Sequence, residues 1–255
     1  MELEKSLSGQ FYSGTSGLLL PVPKYRFPAP FENASRLTYY ASLYNSLEVN
    51  SSFYKIPQPS TIARWAASVP QHFRFTFKLW QGITHKSGLE FLEEDVVRFV
   101  RTIDQVGEKR GCLLIQFPPG IGIEYTMQLE YLLQCIRFAE WKIAVEFRHH
   151  SWYQRSTFGL LNSYKAALVV HDMPFSATPV VDHVPDFIYV RFHGPTGDYK
   201  GSYSDDFLHE YAGYASNWLS EGKEVYMYFN NTAGDALKNL DSITHFIQTK
   251  QQKNA

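Results

Sequence analysis

Ionisable and amide side chains close a series of short apolar runs: Glu48 and Asn50, Lys78, Gln116, Glu146 and Arg148, Arg191 and His193, and Asn230. Where they come in pairs they are two residues apart, so along an extended chain both members point to the same face. Glu48 and Glu146 are the carboxylates of this set, and such a pair can supply the acid and base of a hydrolase or lyase. Lys78, Arg148 and Arg191 favour the ionised carboxylate, which suits a base or an ion-pair partner better than an acid. The same cations can bind an anion, arginine in bidentate form. His193 has the chemistry of a general acid, a general base or a metal ligand. A desolvated charge costs several kcal/mol unless it is paired, so the set implies either a buried Glu–Arg network or a polar pocket, and a ligand site is the leading reading.

Other residues add to the candidates. His85, His149 and His171 follow apolar runs and, with Glu48, Glu146 and Asp172, have the composition of a His/carboxylate metal cluster. No HxH or HExxH spacing occurs and the cations oppose a metal, so no cofactor is expected and a divalent metal is the lesser alternative. The loops 193–201 and 230–234, the latter with Asn230 and Asn231, are glycine-containing and suit phosphate binding through backbone N–H groups. Tyr54, Trp80, Trp152, Tyr153, Tyr199 and Tyr203 fall in the same loops and could wall a pocket, Trp152 being carried into the ligand set.

The elements that must position these residues follow from periodicity. Period-two or short apolar runs predict strands over 11–16, 46–51, 73–79, 112–117, 142–147, 167–170, 187–192 and 225–229. Helical spacing predicts helices over 36–44, 60–68 with Ser60 as N-cap, 89–108, 125–139, 157–164, 205–220 and 233–248. Dividing each strand by alternation gives one apolar set, including Leu47, Phe75, Phe77, Ile115, Val145, Val190 and Met227, to be covered by helices. The other set carries the polar residues at its C-terminal ends. Eight strands alternating with helices in 255 residues predict a single-domain (β/α)8 TIM-type barrel over 1–255, with its chemistry at the C-terminal mouth. A doubly wound open sheet is the runner-up.

The formal net charge of −1 disfavours a broadly basic nucleic-acid surface, and a charged fraction of 19% with 44% hydrophobic residues describes a packed chain. Cys112 and Cys135, the two cysteines, sit in an apolar run and a helical pattern, so neither a disulfide framework nor a thiolate zinc site is expected. No apolar stretch approaches a membrane span and the N-terminus lacks a signal pattern, so a cytoplasmic protein without a membrane partner is expected.

Several of these segments resemble the YecE-like family, catalogued as domain of unknown function 72. The resemblance rests on Leu47-Glu48-Val49-Asn50-Ser51-Ser52-Phe53-Tyr54, Phe75-Thr76-Phe77-Lys78 with Ile83-Thr84-His85, and Gln116-Phe117-Pro118-Pro119. It continues through Val145-Glu146-Phe147-Arg148-His149 with Ser151-Trp152, Val190-Arg191-Phe192-His193-Gly194, and Tyr228-Phe229-Asn230-Asn231 with Gly234 and Ala236. The resemblance implies a TIM-barrel fold and supplies no activity. It departs at Leu18, where the family has an aromatic residue, and across the Pro-rich stretch 20–30 in place of a Trp-containing loop.

The leading functional expectation is an enzyme that binds a small anionic substrate, phosphorylated ones included, at the mouth, with Glu146 or His193 transferring protons. A metal-dependent nuclease or nucleic-acid processing protein is the first alternative, resting on fold analogy. A non-catalytic ligand-binding barrel is the second. The sequence leaves oligomeric state open.

Overall fold

Runs with an apolar residue at every second position form strands in the computed structural model, which describes residues 9–178 and 186–254. In chain order these are β1 (Phe11–Thr15), β2 (Ser46–Val49), β3 (Arg74–Lys78), β4 (Arg110–Gln116), β5 (Lys142–Glu146), β6 (Ala167–Leu168), β7 (Val170–His171), β8 (Phe187–Phe192) and β9 (Glu224–Phe229). The helices are α1 (Arg36–Leu43), α2 (Ser51–Tyr54), α3 (Pro59–Ala67), α4 (Gln81–Thr84), α5 (Glu93–Ile103), α6 (Thr126–Ile136), α7 (Arg155–Ser163), α8 (Asp205–Ser220) and α9 (Ala236–Asn254). The result is an α/β fold in which every paired strand is parallel to its neighbour.

The ladders form two open sheets, ordered β1-β9-β8-β7 and β2-β3-β4-β5-β6, rather than the uninterrupted eight-stranded ring expected from the sequence. Side chains explain the first break. Between β1 and β2 the Asn45 amide accepts from the Ser13 N–H at 2.9 Å and donates to the Phe11 carbonyl at 2.8 Å. The Tyr40 hydroxyl accepts from the Thr15 N–H at 2.8 Å and donates to the Ser46 carbonyl at 3.1 Å. Buried backbone groups must be paired, and here side chains replace the ladder bonds. Among the described residues only Ser16 and Glu48 form a bridge across this edge, with the Gly17 N–H on the Glu48 carbonyl at 2.8 Å. The second break lies within the expected strand 167–170. Its first half pairs with β5 and its second half with β8, the change falling at Val169, whose N–H still bonds Val145.

Alternation sorts the side chains as expected. Leu47, Phe75, Phe77, Ile115 and Val145 join one apolar cluster with residues of α3, α5 and α6, while Val190, Phe192, Val225 and Met227 join another with α8 and α9. The opposite faces of the two sheets meet in a third cluster around Cys112, Leu114, Ala144, Tyr189, Tyr226 and Tyr228. Tyr228 crosses between the sheets, its hydroxyl within 2.6 Å of Ser46 Oγ and 2.8 Å of Thr76 Oγ1. Tyrosine suits this place because it fills volume and carries one polar group to pair with strand hydroxyls.

Helix ends account for most boundary differences. α3 begins at Pro59, so Gln58 rather than Ser60 is the N-cap; proline's missing N–H is harmless in the first turn. The expected helix 89–108 is trimmed to α5 because Gly88 and Leu89 adopt positive φ before it and a 3-10 turn containing Gly107 at φ 59° follows it. Glu93, Glu94 and Asp95 in its first turn complement the helix dipole. α8 matches its expected range and is capped by Ser204, whose hydroxyl accepts from the Phe207 N–H. Two short helices, α2 and α4, go unsignalled by periodicity because each is a single turn. Among the described residues no helix is long and apolar enough to cross a membrane.

Candidate functional site

The strand ends of both sheets deliver one connected charged cluster. Arg191, at the end of β8, lies between Glu48 of β2 and Glu146 of β5, and all three side chains are fully buried. Its guanidinium donates through Nε and Nη2 to the two Glu48 oxygens at 3.0 and 2.7 Å, and through Nη1 to Glu146 Oε2 at 2.6 Å. Nη2 also reaches Ser16 Oγ at 3.2 Å. Ser16 and Tyr189 hydroxyls donate to Glu48 as well. Arg191 is therefore fitted to its two carboxylates in the fork geometry that guanidinium favours, leaving no free edge for a ligand. The structure thus places Arg191, expected as an anion ligand, at the centre of a buried ion-pair network. The buried network weighed against it is what this residue builds.

Arg148, two residues beyond β5, covers the outer side of Glu146. Its Nε donates to Glu146 Oε1 and its Nη2 to His193 Nε2 at 2.9 Å, with 7% of its side chain exposed. Burial would push the Glu146 carboxyl up, but Arg148 and Arg191 prevail and hold it well below the usual carboxylate range. A proton donor at this position is thereby disfavoured.

His193 is tautomerically defined by its partners. Asp172 Oδ1 accepts from the His193 backbone N–H at 2.8 Å and lies 3.2 Å from Nδ1. A carboxylate can only accept, so Nδ1 carries the hydrogen and Nε2 presents its lone pair to Arg148 and, at 3.3 Å, to Arg191. Burial lowers the His193 pKa, with Asp172 opposing the shift, and the neutral ring fits both arginine contacts. Tyr203 donates to the other Asp172 oxygen and so steadies the dyad from behind.

Lys78 stands apart from this network. It ends β3, is half-buried, and donates from Nζ to Gln116 Oε1 at 2.7 Å while lying 4.0 Å from the centre of the Phe53 ring. Gln116 Nε2 donates to the Phe117 carbonyl at 2.9 Å, which turns the amide oxygen towards the amine. Among the described residues no carboxylate forms an ion pair with Lys78. Burial, and then the charge of Arg191, lowers its pKa to about 8.

The remaining candidates divide. Asn50 is half-buried beside the cluster, donating to Ser16 Oγ at 2.6 Å, and its Oδ1 has no partner. Asn230 is half-buried at the end of β9, its backbone N–H on the Phe192 carbonyl. Asn231 is fully buried and ties the 201 turn to Asn239. Trp152 is fully buried in the helical layer, stacked 4.5 Å from Phe147 with its indole N–H on the Ile121 carbonyl, and has no surface to offer a ligand.

The two glycine loops pack on each other rather than opening a phosphate cradle. The N–H groups of Gly197, Tyr199, Ala233, Gly234 and Asp235 all donate to backbone carbonyls of these loops. A Cβ at Gly234 would lie 2.4 Å from the Gly201 carbonyl oxygen, which shows how close the strands of the two loops run. The histidine cluster is likewise dispersed: His85 packs edge-on against Phe53, His149 bonds Ser151, and His171 lies 3.1 Å from the Phe147 carbonyl. Among the described residues no three His, Cys, Asp or Glu side chains form a metal-holding group.

Sequence reasoning missed Ser16, Tyr189 and the orienting role of Asp172. Ser16 and Tyr189 each carry the period-two signal, lying two residues from Gly14 and Arg191 respectively. Asp172 carries none, since it belongs to the turn after β7 and reaches His193 only through tertiary folding.

Comparison with known proteins agrees with the resemblance read from the sequence. The family described as "Protein of unknown function DUF72" matches residues 12–255. Among curated proteins, UPF0759 protein YunF of Bacillus subtilis (strain 168) is 27% identical over 245 residues, 84% of this chain and 86% of its own. UPF0759 protein YecE of Escherichia coli (strain K12) is 27% identical over 116 residues, 46% of this chain and 42% of its own. A crystal structure of a DUF72 family protein from Enterococcus faecalis V583 superposes with a TM-score of 0.77 at 23% identity, covering 94% of this chain and 96% of that one. A second, from Thermotoga maritima MSB8, gives 0.68 at 24% identity, covering 95% and 99%.

Proposed function

This chain belongs to the DUF72 family, and on that footing we propose that it is an enzyme acting on a small anionic substrate at the C-terminal ends of its strands. The observation that carries this reading is Lys78. It is a half-buried cation at the site with a neutral amide, rather than a carboxylate, as its hydrogen-bond acceptor. Burying a charge is unfavourable unless a partner of opposite sign compensates it, and an anionic ligand supplies that partner. Arg148 is the second anion ligand in this reading, with Asn50, Gln116 and Asn230 as polar neighbours. The Glu48–Arg191–Glu146 network acts as the rigid floor.

Proton transfer falls to His193 rather than to Glu146. Asp172 fixes the ring as in other histidine–carboxylate pairs, and Nε2 is a ready acceptor once Arg148 turns to the ligand. A hydrolase or lyase reaction fits one histidine and one lysine at a polar site. We also propose that the two sheets are arcs of one (β/α)8 barrel forming a single domain. The Ser16–Glu48 bridge and the change of partner at Val169 support that view.

Thermal melting with inorganic phosphate, sulfate and small phosphosugars tests the proposal. An anion at 100-fold its Kd stabilises by about 2.7 kcal/mol, roughly a few degrees for a chain of this size. We expect such a shift in the wild type and its loss in Lys78→Ala. Absence of any shift in the wild type, or an undiminished shift in Lys78→Ala, overturns the reading.

A further inference from the structure

A half-buried lysine with no carboxylate partner among the described residues can do more than hold an anion. We propose that the Lys78 amine condenses with a small anion that bears an aldehyde or ketone carbonyl, forming an imine with the protein. The inference rests on the anion-site reading and names the substrate class that reading leaves open.

Geometry is the first support. Lys78 Nζ is held between a flat aromatic face, Phe53 at 4.0 Å, and one amide acceptor, Gln116 Oε1 at 2.7 Å. An ammonium in a purely structural role at such a place normally meets a carboxylate, and here both nearby glutamates are taken up by arginines. The amine therefore has a fixed direction and, among the described residues, no competing salt bridge, and its partial burial supplies the desolvation under which a lysine becomes a nucleophile. In this proposal the anionic group of the same molecule is taken by Arg148, which would exchange its His193 contact for it. The lowered pKa adds a second support: with a value of about 8, roughly a quarter of Lys78 is neutral at pH 7.5, far more than for a surface lysine.

The step balances without a redox partner. Lys78 loses one proton, its lone pair forms the C–N bond, and the carbonyl oxygen takes up a proton to become a hydroxyl. A second proton passes from nitrogen to that hydroxyl, the C–O bond breaks and water leaves. The resulting iminium carries the same single positive charge as the ammonium it replaces, so the charge balance of the cluster is unchanged.

Reductive trapping tests this on the wild-type protein. Glyoxylate and sodium cyanoborohydride are added at pH 7.5, and modification of each lysine is followed by peptide mass spectrometry. Lys78 is expected to react at least 10-fold faster than the exposed Lys55 and Lys165, and the preference is expected to vanish with uncharged glycolaldehyde. Modification of Lys78 no faster than those two lysines overturns the inference. Melting with sulfate and phosphate is run beside it. If these anions stabilise the protein while trapping shows no preference, the imine falls and the anion site stands; if neither is seen, both fall.

Discussion

Glu146 illustrates what a single side chain does in this cluster. It compensates Arg148 on one oxygen and Arg191 on the other, and both arginines are almost wholly removed from water. Glu146→Gln keeps the shape and removes the charge, leaving two buried guanidinium groups with one carboxylate, Glu48, bonded to only one of them. Removing one partner of a buried ion pair costs about 3–5 kcal/mol. We expect a loss of that size in the urea midpoint of Glu146→Gln, and a loss below about 1 kcal/mol would remove the structural role assigned to it. Which residues gather here was legible in the sequence, because spacing of two residues fixes the face on which Glu146, Arg148, Arg191 and His193 stand. Their roles were not. Alternation tells which way Arg191 points but not that Glu48 and Glu146 meet it from two different strands, so the anion binder read from spacing becomes the centre of an ion-pair network. Trp152 is a related case: its loop position is shared by pocket walls and by core anchors, and the structure places it, buried, against Phe147.

At the scale of elements, the edge between β1 and β2 is the informative place. The Tyr40 hydroxyl, carried there by α1, serves both the Thr15 N–H and the Ser46 carbonyl, and also contacts Thr15 Oγ1 at 3.1 Å. Gly14 is required beside it, since a Cβ there would fall 2.0 Å from the Ser46 carbonyl oxygen and 2.8 Å from the Tyr40 hydroxyl. Tyr40→Phe strips a buried N–H and a buried carbonyl of their partner with little change of volume. An unsatisfied buried group costs about 1–3 kcal/mol. Tyr40→Phe is expected to lose at least that much in a urea melt, and amide exchange at Thr15 is expected to accelerate while that of β4 changes only with global stability. Exchange at Thr15 unaltered in the variant would show that the hydroxyl is not closing this edge. Strand and helix order were legible because apolar periods are local properties of the chain. The open edge was not, since Asn45 and Tyr40 look like ordinary residues at a helix end until the two sheets bring Ser13 and Thr15 against them.

For the whole molecule, a formal charge of −1 conceals a buried cluster that is itself nearly balanced. Spacing alone suggested an excess of Arg and Lys at the strand ends, but Asp172, bonded to His193, joins Glu48 and Glu146, which are taken up by Arg148 and Arg191; among the described residues Lys78 is the cation of the set left without a carboxylate. Balance of this kind makes the fold sensitive to protonation from one direction. His171 is buried and neutral: burial lowers its pKa to about 4, Met173 donates its N–H to Nδ1 at 3.3 Å, and the Phe147 carbonyl stands at Nε2. His193 is shifted in the same direction by burial, and Glu146 lies well below its usual value because the arginines outweigh burial. All three folded-state values are depressed, so as pH falls the unfolded chain takes up protons first. The stability these groups contribute is complete above about pH 6.5 for the histidines and above about pH 4.3 for Glu146, and is lost on acidification through those values. For His171 the shift corresponds to a loss on the order of 3 kcal/mol between pH 6.5 and 4. Lys78 works in another window: its depressed value makes the protein gain stability as pH rises from about 8 towards 10.4, where the unfolded lysine is still charged. Urea midpoints across pH 4.5–10 are therefore expected to climb to pH 6.5, level off, and climb slightly again above pH 8. In His171→Gln, whose amide can still donate to Phe147, the lower climb is expected to shrink. A wild-type midpoint that stays flat from pH 6.5 to 4.5 would mean that these histidines are not held neutral in the fold, and with it would go the assignment of His193 Nε2 as a standing proton acceptor.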